Sequence, residues 1–392
     1  MSVNKVDKNV SVKQLLELIP EGELSRLAVQ TGIDYCAKVL YGKSMFYLLL
    51  YGLATSEKTS LRGLEDVFNS RRFKFLFNLD PNQTVRHSSI SDRLATMELS
   101  FFEEAYRLIY SLFRSHFSDQ DAQLYNIVRV DSTMVAETAN KLEKGMSVGC
   151  KKDGKKQVKY TVCLEDTLPS SVEVFTSQSE LSEDLTIPVA ILKLVDTRID
   201  NVFVFDRGVQ ARKAYIDIDQ KGYRFVTRLK ESVKYEIIED LNIIKGLQIG
   251  NLTVESDEWV YLFKGKRVDI PFRLLKMRNE QGKLLVFMSN IKDIPIEDII
   301  MIYKKRWDIE VFFRFIKQEL NFTHFMSTNI NGIKIILYMT MILAMLVHIY
   351  KKYNNVGFKT AKRRIKIELD DLLTVLVVEA CGGNPNIVFR GP

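Results

Sequence analysis

The stretch "NVFVFDRGVQARKAYIDIDQKGYRFVTRLK" (residues 201–230) decides the fold class, because strand and helix patterns alternate along it. "NVFVFDRG" and "YRFVTRLK" are rich in β-branched and aromatic residues, whereas "ARKAYIDIDQKG" between them has helical spacing. A helix that links two strands makes the crossover connection of an α/β sheet. We therefore predict an α/β fold.

The segments on either side extend this pattern. Three strand-like runs precede it, "LYNIVRVDSTMV" from residue 124, "KKQVKYTVCLED" from 155 and "SSVEVFTS" from 170, and the helical "SEDLTIPVAILKLV" follows them. The predicted order is three strands, helix, strand, helix, strand. Residues 231–290 are rich in strand patterns with turns at "KGK" and "NEQGK", which indicates a β insertion.

Two helical regions lie outside this sheet. Residues 1–120 show helical spacing with polar breaks, and Ser60 and Ser89 are predicted N-caps. The apolar run "IILYMTMILAMLV" (335–347) would span only ~20 Å as a helix, which is too short for a bilayer. We predict a buried helix there and no membrane partner.

Composition restricts the function classes. The chain has 392 residues, 46% hydrophobic and 27% charged, with a net charge of +7, which suits a folded protein with a polyanionic partner. The four cysteines and four histidines form no CxxC or HxxxH pattern, so a structural zinc site is not expected. The N-terminus has no apolar signal segment, so we expect a cytoplasmic location.

Three acids stand out by position. Asp131 ends the strand "NIVRVD", Asp206 ends "NVFVFD", and Glu310 lies in "YKKRWDIEVFFRFIKQEL" (303–320). Ligands of α/β sheets gather beyond the carboxyl ends of strands. Taken singly, each Asp could be a turn residue and Glu310 a helix residue paired with Arg306 or Arg314. Their joint placement favours a shared site.

Three converging carboxylates need a cation, because they would otherwise repel each other and raise each other's pKa. Oxygen ligands alone suit Mg²⁺, with Mn²⁺ as a substitute, and two such ions can clamp an in-line phosphoryl displacement. Asp131, Asp206 and Glu310 are therefore predicted to be both metal ligands and catalytic residues, with Asp131 bridging the two ions.

The stretch 303–320 is predicted to be a single helix with one polar face. Tyr303, Arg306, Glu310 and Lys317 fall within an arc of roughly 60° at helical spacing. Arg306 can fork two N–H donors onto a phosphate, Lys317 supplies a point charge and Tyr303 a hydroxyl. The alternative is that these residues only balance neighbouring acids.

"DSTMV" at 131, "FDRG" at 205 and Y-x2-R-x3-E-x6-K from Tyr303 to Lys317 together resemble bacterial insertion-sequence DDE transposases with the YREK signature, the family-four insertion sequences. The resemblance implies a ribonuclease H-like catalytic domain with a β insertion, Mg²⁺, and cut-and-paste movement of DNA. It implies Asp131, Asp206 and Glu310 as the acidic triad, beside phosphate-binding Tyr303, Arg306 and Lys317. Arg207 is either another phosphate ligand or part of a local salt bridge.

The predicted domains follow from this resemblance. They are a helical DNA-binding domain (1–120), a ribonuclease H-like catalytic domain (121–230 and 291–350), a β-rich insertion (231–290) and a basic C-terminal segment (351–392). Trp259 in the insertion could stack on a flipped base or simply pack in the core. The basic stretches 141–160 and 351–366 could follow DNA backbone; the first could equally be a solvated loop.

The resulting hypothesis is a transposase that binds terminal inverted repeats, cleaves DNA strands and joins their 3′-OH ends to target DNA. Its partners would be double-stranded element ends and target DNA, with a homodimer in the synaptic complex and a nucleoid-associated location in the bacterial cytoplasm. Two alternatives stay open: a ribonuclease H-like nuclease without strand transfer, and a non-catalytic, transposase-derived DNA-binding regulator.

Overall fold

The computed structural model describes residues 9–117, 124–137, 142–147, 155–194, 201–241, 246–264 and 266–388. Contacts divide the chain into two units. The first comprises Met1–Ser118, Glu137–Lys144 and Arg314–Pro392, and the second Asp119–Ala136 and Gly145–Phe313. The domain boundaries predicted from the sequence are a different partition and stay a prediction.

The first unit is helical within its described residues. Its helices are α1 (Val12–Glu17), α2 (Glu21–Thr31), α3 (Gly42–Thr55), α4 (Leu61–Asn69), α5 (Arg71–Leu76), α6 (His87–Thr96), α7 (Leu99–Phe117), α12 (Ile330–Tyr353), α13 (Phe358–Ala380) and α14 (Pro385–Val388). The helical prediction for the N-terminal region is confirmed. Ser60 caps α4 by accepting the Gly63 N–H at 3.1 Å, but the cap predicted at Ser89 is wrong, since Ser89 lies inside α6.

Helix α12 is a long apolar helix of the first unit. It has 24 residues, so the apolar run of 335–347 underestimated its length, and by length and composition it could cross a membrane. Yet 78% of its most apolar window is buried inside the fold, where it contacts α3, α6, α7 and α13. The predicted burial of this helix is confirmed.

The second unit contains one mixed sheet. Its strands are β1 (Asn126–Ala136), β2 (Met146–Ser147), β3 (Lys156–Glu165), β4 (Leu168–Phe175), β5 (Asn201–Phe205), β6 (Arg224–Leu229), β7 (Tyr235–Asp240), β8 (Gln248–Ile249), β9 (Leu252–Lys264), β10 (Lys266–Asn279) and β11 (Leu284–Ser289). The order is β2-β3-β1-β5-β6-β11-β10-β9-β7, with β4 beside β3 and β8 beside β9. β1, β5 and β6 are parallel, whereas β3 is antiparallel to β1. The predicted order of strands and helices is confirmed, with the short β2 as an addition.

Helices cover both faces of the central strands. They are α8 (Glu183–Leu192) and α9 (Arg212–Gln220) on one face and α10 (Ile296–Lys304) on the other. Side chains alternate along β5, so Phe203 packs in the cluster with α8 and α9 while Val202 packs in the cluster with α10. On β1, Val130 belongs to the first face and Ile127 to the second. By this alternation, Asp131 lies on the α10 face.

The predicted β insertion continues the same sheet. β11 pairs antiparallel with β6, and β10, β9 and β7 follow outward. The guanidinium of Arg273 on β10 is buried and pairs with the buried Asp257 of β9 at 2.6 Å. Burying either charge without the other would be costly, so the two side chains need each other's contact across β9 and β10.

The stretch 303–320 is not one helix, so that prediction was wrong. α10 ends at Lys304, Lys305 and Arg306 form a tight turn, and α11 spans Trp307–Glu319. In this turn the Arg306 N–H bonds the carbonyl of Tyr303 at 3.0 Å, a spacing of three residues where an α-helix uses four. The four polar residues therefore belong to two helices and a turn rather than to one helical face.

Candidate active site

Asp131 is the most buried of the three predicted site acids. Its side chain is 16% exposed, and its Oδ1 accepts the backbone N–H of Ser132 at 2.7 Å. Burial raises the pKa of this carboxyl to about 7, helped by the carboxylates of Glu183 and Asp206 and opposed by the Ser132 N–H and the Arg306 guanidinium. The main cause of the shift is therefore the loss of solvent around Asp131, and the neighbouring carboxylates add to it.

Asp206 follows β5 directly, beside the carboxyl half of β1. The parallel pairing places Val130 opposite Phe205, so the residues that follow, Asp131 and Asp206, are neighbours. Asp206 follows the end of β5 as predicted, but Asp131 does not end its strand, because β1 continues to Ala136. The two acids nevertheless lie at neighbouring positions of adjacent strands. Asp206 Oδ1 accepts the backbone N–H of Arg207 at 2.6 Å.

The Arg306 guanidinium connects the other two acids. Its Nη2 donates to Glu310 Oε1 at 2.6 Å, and its Nη1 lies 3.9 Å from Asp131 Oδ2. The side chain of Glu310 is about one third exposed and that of Arg306 is mostly buried. The Arg306–Glu310 pair considered from the sequence is present, but Arg306 also reaches the acid on β1.

Tyr303 contributes its ring to the site. The guanidinium carbons of Arg306 and Arg228 each lie 5.8 Å from the ring centroid, at distances typical of cation–π contacts. Burial raises the pKa of the Tyr303 hydroxyl, and these two arginines oppose the shift. Arg228, on β6, was missed in the sequence because it looked like an ordinary strand residue.

Arg129 is a second residue that the sequence reasoning missed. It is 3% exposed, donates its Nη2–H to Asp308 at 3.0 Å and its Nε–H to the carbonyl of Lys305 at 3.3 Å. The Lys305 carbonyl lies in the turn where α-helical bonding is interrupted, and it also accepts the Asp308 N–H at 3.1 Å, so Arg129 gives it a second donor. An arginine between valines in "NIVRVD" was the available signal, because a charged side chain in a buried strand requires a partner.

The other predicted residues lie elsewhere. Arg207 is exposed, and its guanidinium forms no ion pair with any residue that the structure describes, which argues against the local salt bridge. Trp259 on β9 is half-buried, with the Lys292 ammonium 5.8 Å from its ring centroid. Lys317 lies on α11 in the first contact unit, whereas the three acids lie in the second.

The carboxylates are suited to a hard divalent cation, although they do not yet form a coordination shell. Among the described residues, no three Asp, Glu, His or Cys side chains come together closely enough to hold a metal ion. The Arg306 guanidinium stands between Asp131 and Glu310, at the place where a cation would balance them. The donor set of Asp131, Asp206 and Glu310 fits Mg²⁺ or Mn²⁺ by its chemistry, provided that Arg306 moves away.

Sequence comparison identifies the family. The family described as "Transposase DDE domain" matches residues 122–346, more than half of the chain. The chain belongs to the transposase DDE domain family.

Individual relatives are transposases by name. The chain is 30% identical over 156 residues to transposase y4zB of Sinorhizobium fredii, covering 39% of this chain and 44% of that protein. It is 28% identical over 153 residues (39% and 41%) to a transposase for insertion sequence element IS4SA of Synechocystis, and 27% identical over 208 residues (52% and 51%) to one for IS5377 of Geobacillus stearothermophilus. The matches thus span about half or less of these relatives.

Comparison with solved structures gives a match of low similarity to a transposase complex. It is the cryo-EM structure of the piggyBac transposase synaptic complex with hairpin DNA, which matches at a TM-score of 0.47 and 14% identity. The match covers 96% of this chain and 82% of that chain.

Proposed function

We propose that this protein is a DNA transposase that binds the terminal inverted repeats of its element, cleaves DNA strands and joins their 3′-OH ends to target DNA. The observation that carries the proposal is the position of Arg306. In a chain of the DDE family, its guanidinium contacts Glu310 and approaches Asp131, with Asp206 at the adjoining strand end.

In this proposal Asp131, Asp206 and Glu310 hold two Mg²⁺ ions, with Mn²⁺ as a substitute. When bound, the ions supply an activated attacking oxygen and stabilise the departing oxygen of an in-line displacement. The protein keeps Asp131 largely buried within β1, and Arg306 lies between it and Glu310 of α11. Cleavage and joining are both displacements at phosphorus, so one site serves both.

Arg306 then has two partners in succession. In the DNA-free protein its charge balances Glu310 and Asp131, and on DNA binding the same planar fork turns to a backbone phosphate. Tyr303 holds the guanidinium through its ring and offers its hydroxyl to the phosphate. Arg207, exposed next to Asp206, and Lys317 on α11 are the further phosphate ligands that we propose.

The finer assignments belong to the same proposal. The sheet with β1 flanked by antiparallel β3 and parallel β5 supports a ribonuclease H-like catalytic domain, and Tyr303, Arg306, Glu310 and Lys317 support membership of the YREK group. We further propose a homodimer on DNA, helices of 1–120 as the DNA-binding region, Trp259 as a base-stacking residue and a nucleoid-associated location.

A basic face on α13 is a proposed surface for DNA backbone. Lys359, Lys362, Arg363 and Lys366 share one side of the helix and line a pocket of about 330 Å³. Lys362 donates to the carbonyl of Ser56 at 3.3 Å, and burial lowers its pKa. The other three are exposed, so their charge is available to phosphates. Of the other basic stretch, 141–160, residues 141 and 148–154 lie outside the described residues.

The test uses the full-length protein with labelled DNA that carries the inverted repeats flanking its gene, in the presence of Mg²⁺. Strand cleavage followed by joined products supports the transposase. Cleavage without joining would indicate a nuclease, and a mobility shift without cleavage would indicate a binding protein. Asp131→Asn should abolish cleavage and retain the shift; a variant that still cleaves contradicts the proposed site.

A further inference from the structure

The chain leaves the sheet at the second site acid. β5 ends at Phe205, and Asp206 is the next residue. On one side of β5 the parallel pairing with β1 reaches Phe205, which lies opposite Val130. On the other side the pairing with β6 stops one residue earlier, where Val204 lies opposite Val226. The peptide bond between Phe205 and Asp206 therefore lies beyond the last pair of the β5–β6 ladder.

A threonine side chain continues the hydrogen bonding at this point. Thr227 follows Val226 on β6, and its Oγ1 donates to the carbonyl of Phe205 at 3.0 Å, with the carbonyl of Asp206 at 3.4 Å as a second, weaker acceptor. The hydroxyl has one proton, so these two successive carbonyls share it. Thr227 thus holds the two peptide groups that flank the Cα of Asp206.

The side chain of Thr227 does not reach the surface. It is 0% exposed. Phe225 and Leu229 pack in the cluster with α8 and α9, so by alternation along β6 Thr227 lies on that face of the sheet, whereas Asp131 lies on the α10 face. Any effect of Thr227 on the reaction therefore passes through the backbone of Asp206.

Threonine is well suited to hold this backbone. Its branched Cβ restricts χ1, so the hydroxyl is presented from a nearly fixed position. The Asp206 carboxylate in turn accepts the N–H of Arg207 at 2.6 Å, so its direction follows the backbone that Thr227 holds. Because a catalytic group has to be kept within about 0.5 Å of its working position, such support bears on the reaction rate.

Satisfying its own hydroxyl does not require Thr227 to lie at this position. A buried hydroxyl needs an acceptor wherever it lies, and Thr340 on α12 finds one within its own helix. The Thr340 Oγ1 donates to the carbonyl of Ile336, four residues earlier, at 2.8 Å. Thr227 instead bonds to the neighbouring strand, at the point where that strand ends in a site acid.

We infer that Thr227 is a positioning residue, whose hydroxyl fixes the backbone of Asp206 and thereby the direction of its carboxylate. The inference rests on the proposed function, because it assumes that Asp206 acts in strand cleavage. It adds to the site a residue of β6 that supports it from the face covered by α8 and α9.

The test compares single-turnover cleavage of labelled element ends with DNA affinity measured without a divalent cation, both on the full-length protein. Thr227→Val keeps the shape and removes the donor. It should slow cleavage by about tenfold or more, the scale for residues that orient the ligands of a metal site, and leave DNA affinity within twofold. Thr227→Ser retains the donor and should recover most of the rate.

Hydrogen exchange gives a readout that does not depend on activity. In the DNA-free protein without divalent cations, the backbone amides of residues 206–210 should exchange faster in Thr227→Val than in the wild type, because the segment has lost its bond to β6. Thr227→Ser should restore most of the protection.

Thr340→Val is the matched control. It exchanges the same atoms at a buried position of the first unit and should leave the cleavage rate and the exchange of residues 206–210 unchanged. Equal thermal unfolding midpoints would show that the variants are folded. If Thr227→Val is not folded, Thr227→Cys decides, since its thiol is only a weak donor.

Asp131→Asn distinguishes a failure of this inference from a failure of the proposed site. If Asp131→Asn abolishes cleavage and Thr227→Val cleaves within twofold of the wild type, the role of Thr227 is overturned and the proposed site stands. A parallel loss of DNA affinity in Thr227→Val would also overturn it, because it would indicate a general disturbance. If Asp131→Asn cleaves like the wild type, the proposed site is overturned, and the inference with it.

Discussion

The buried guanidinium of Arg129 on β1 forms an ion pair with the Asp308 carboxylate at the start of α11, with a distance of 3.0 Å between Nη2 and Oδ2. Asp131 lies two residues further along the same strand face, and Glu310 two residues further along the same helix. The pair therefore fixes the strand and the helix that carry two of the three site acids.

Arg129→Met should destabilise the protein by about 2–3 kcal/mol. The change removes the Arg129 bonds to the carbonyls of Ile127 and Lys305 and the ion pair with Asp308, and of the two carbonyls Lys305 keeps the Asp308 N–H. The measurement is the shift of the urea unfolding midpoint. Asp308→Asn is the comparison: the amide oxygen can still accept the Arg129 Nη2–H, and the other bonds of Arg129 stay, so this change should cost less than Arg129→Met. Equal effects of the two changes would contradict the assigned role of Arg129.

Arg306→Gln should reduce the single-turnover rate of strand cleavage by roughly 100-fold, the scale for losing one charged donor at a phosphoryl centre. Arg306→Lys should recover only part of the rate, because an ammonium cannot fork onto a phosphate or stack on Tyr303 in the same way. Cleavage rates on labelled element ends provide the measurement. Full recovery by lysine would mean that charge alone matters at this position.

Neutralising the α13 basic face should weaken DNA binding in a salt-dependent way. Lys359, Arg363 and Lys366 changed together to Gln should lower the slope of log affinity against log salt by up to about 2.7, near 0.9 per phosphate contact. Fluorescence anisotropy on double-stranded DNA at several salt concentrations gives the slope.

The control for this triple variant removes the same charge elsewhere in the first unit. Lys13, Arg26 and Arg107 pair with acids on their own helices, and changing them together to Gln leaves the α13 face intact. A smaller loss of slope in this control is expected. An equal loss would show that net charge, rather than the α13 face, governs binding.

The first unit should become less stable as the pH is lowered, because of His348 on α12. Burial lowers the pKa of this imidazole from 6.5 to about 3, with Lys351 and Lys352 adding to the shift. Its buried Nδ1 makes no hydrogen bond with the part of the chain that the structure describes. Between these two values the unfolded chain takes up a proton that the folded chain does not. Stability is therefore complete above pH 6.5 and falls as pH drops toward 3.

The expected loss is at most about 1.4 kcal/mol per pH unit below 6.5. Urea unfolding midpoints at pH 7.5, 6.5 and 5.5 would measure it, with His348→Leu as the reference, since leucine cannot titrate. The wild type should lose stability relative to this variant as pH falls, and parallel pH profiles would rule out a contribution of His348.

The sequence predicted the sheet and its acids because both depend on local patterns. Alternating runs identify the strands without knowledge of distant contacts, and Asp206 follows the end of β5 as predicted. The end predicted at Asp131 was wrong, because β1 continues in its pairing with β3 as far as Ala136. The break at Lys305 was not predictable in this way. No glycine or proline marks it, and the helical periodicity runs through it; the bond from buried Arg129 to the Lys305 carbonyl is a long-range interaction.

The sequence reasoning missed Glu183 for a similar reason. An acid that follows the Ser182 cap of α8 has a sufficient local explanation, and only the folded chain shows that the same side chain lies beside Gly208. Likewise, counting uninterrupted apolar residues underestimated α12, because buried helices also carry lysine and histidine near their ends.

Two different constraints set the intervals between the polar residues on either side of the tight turn at Lys305–Arg306. The interval from Arg306 to Glu310 is close to one helical turn, so an inserted residue there would rotate Glu310 by about 100° away from its partner. The interval from Tyr303 to Arg306 is set by a turn that Arg129 supports from outside. A length change at that joint would be taken up locally, which makes it the natural place to graft this acid-bearing helix onto another scaffold.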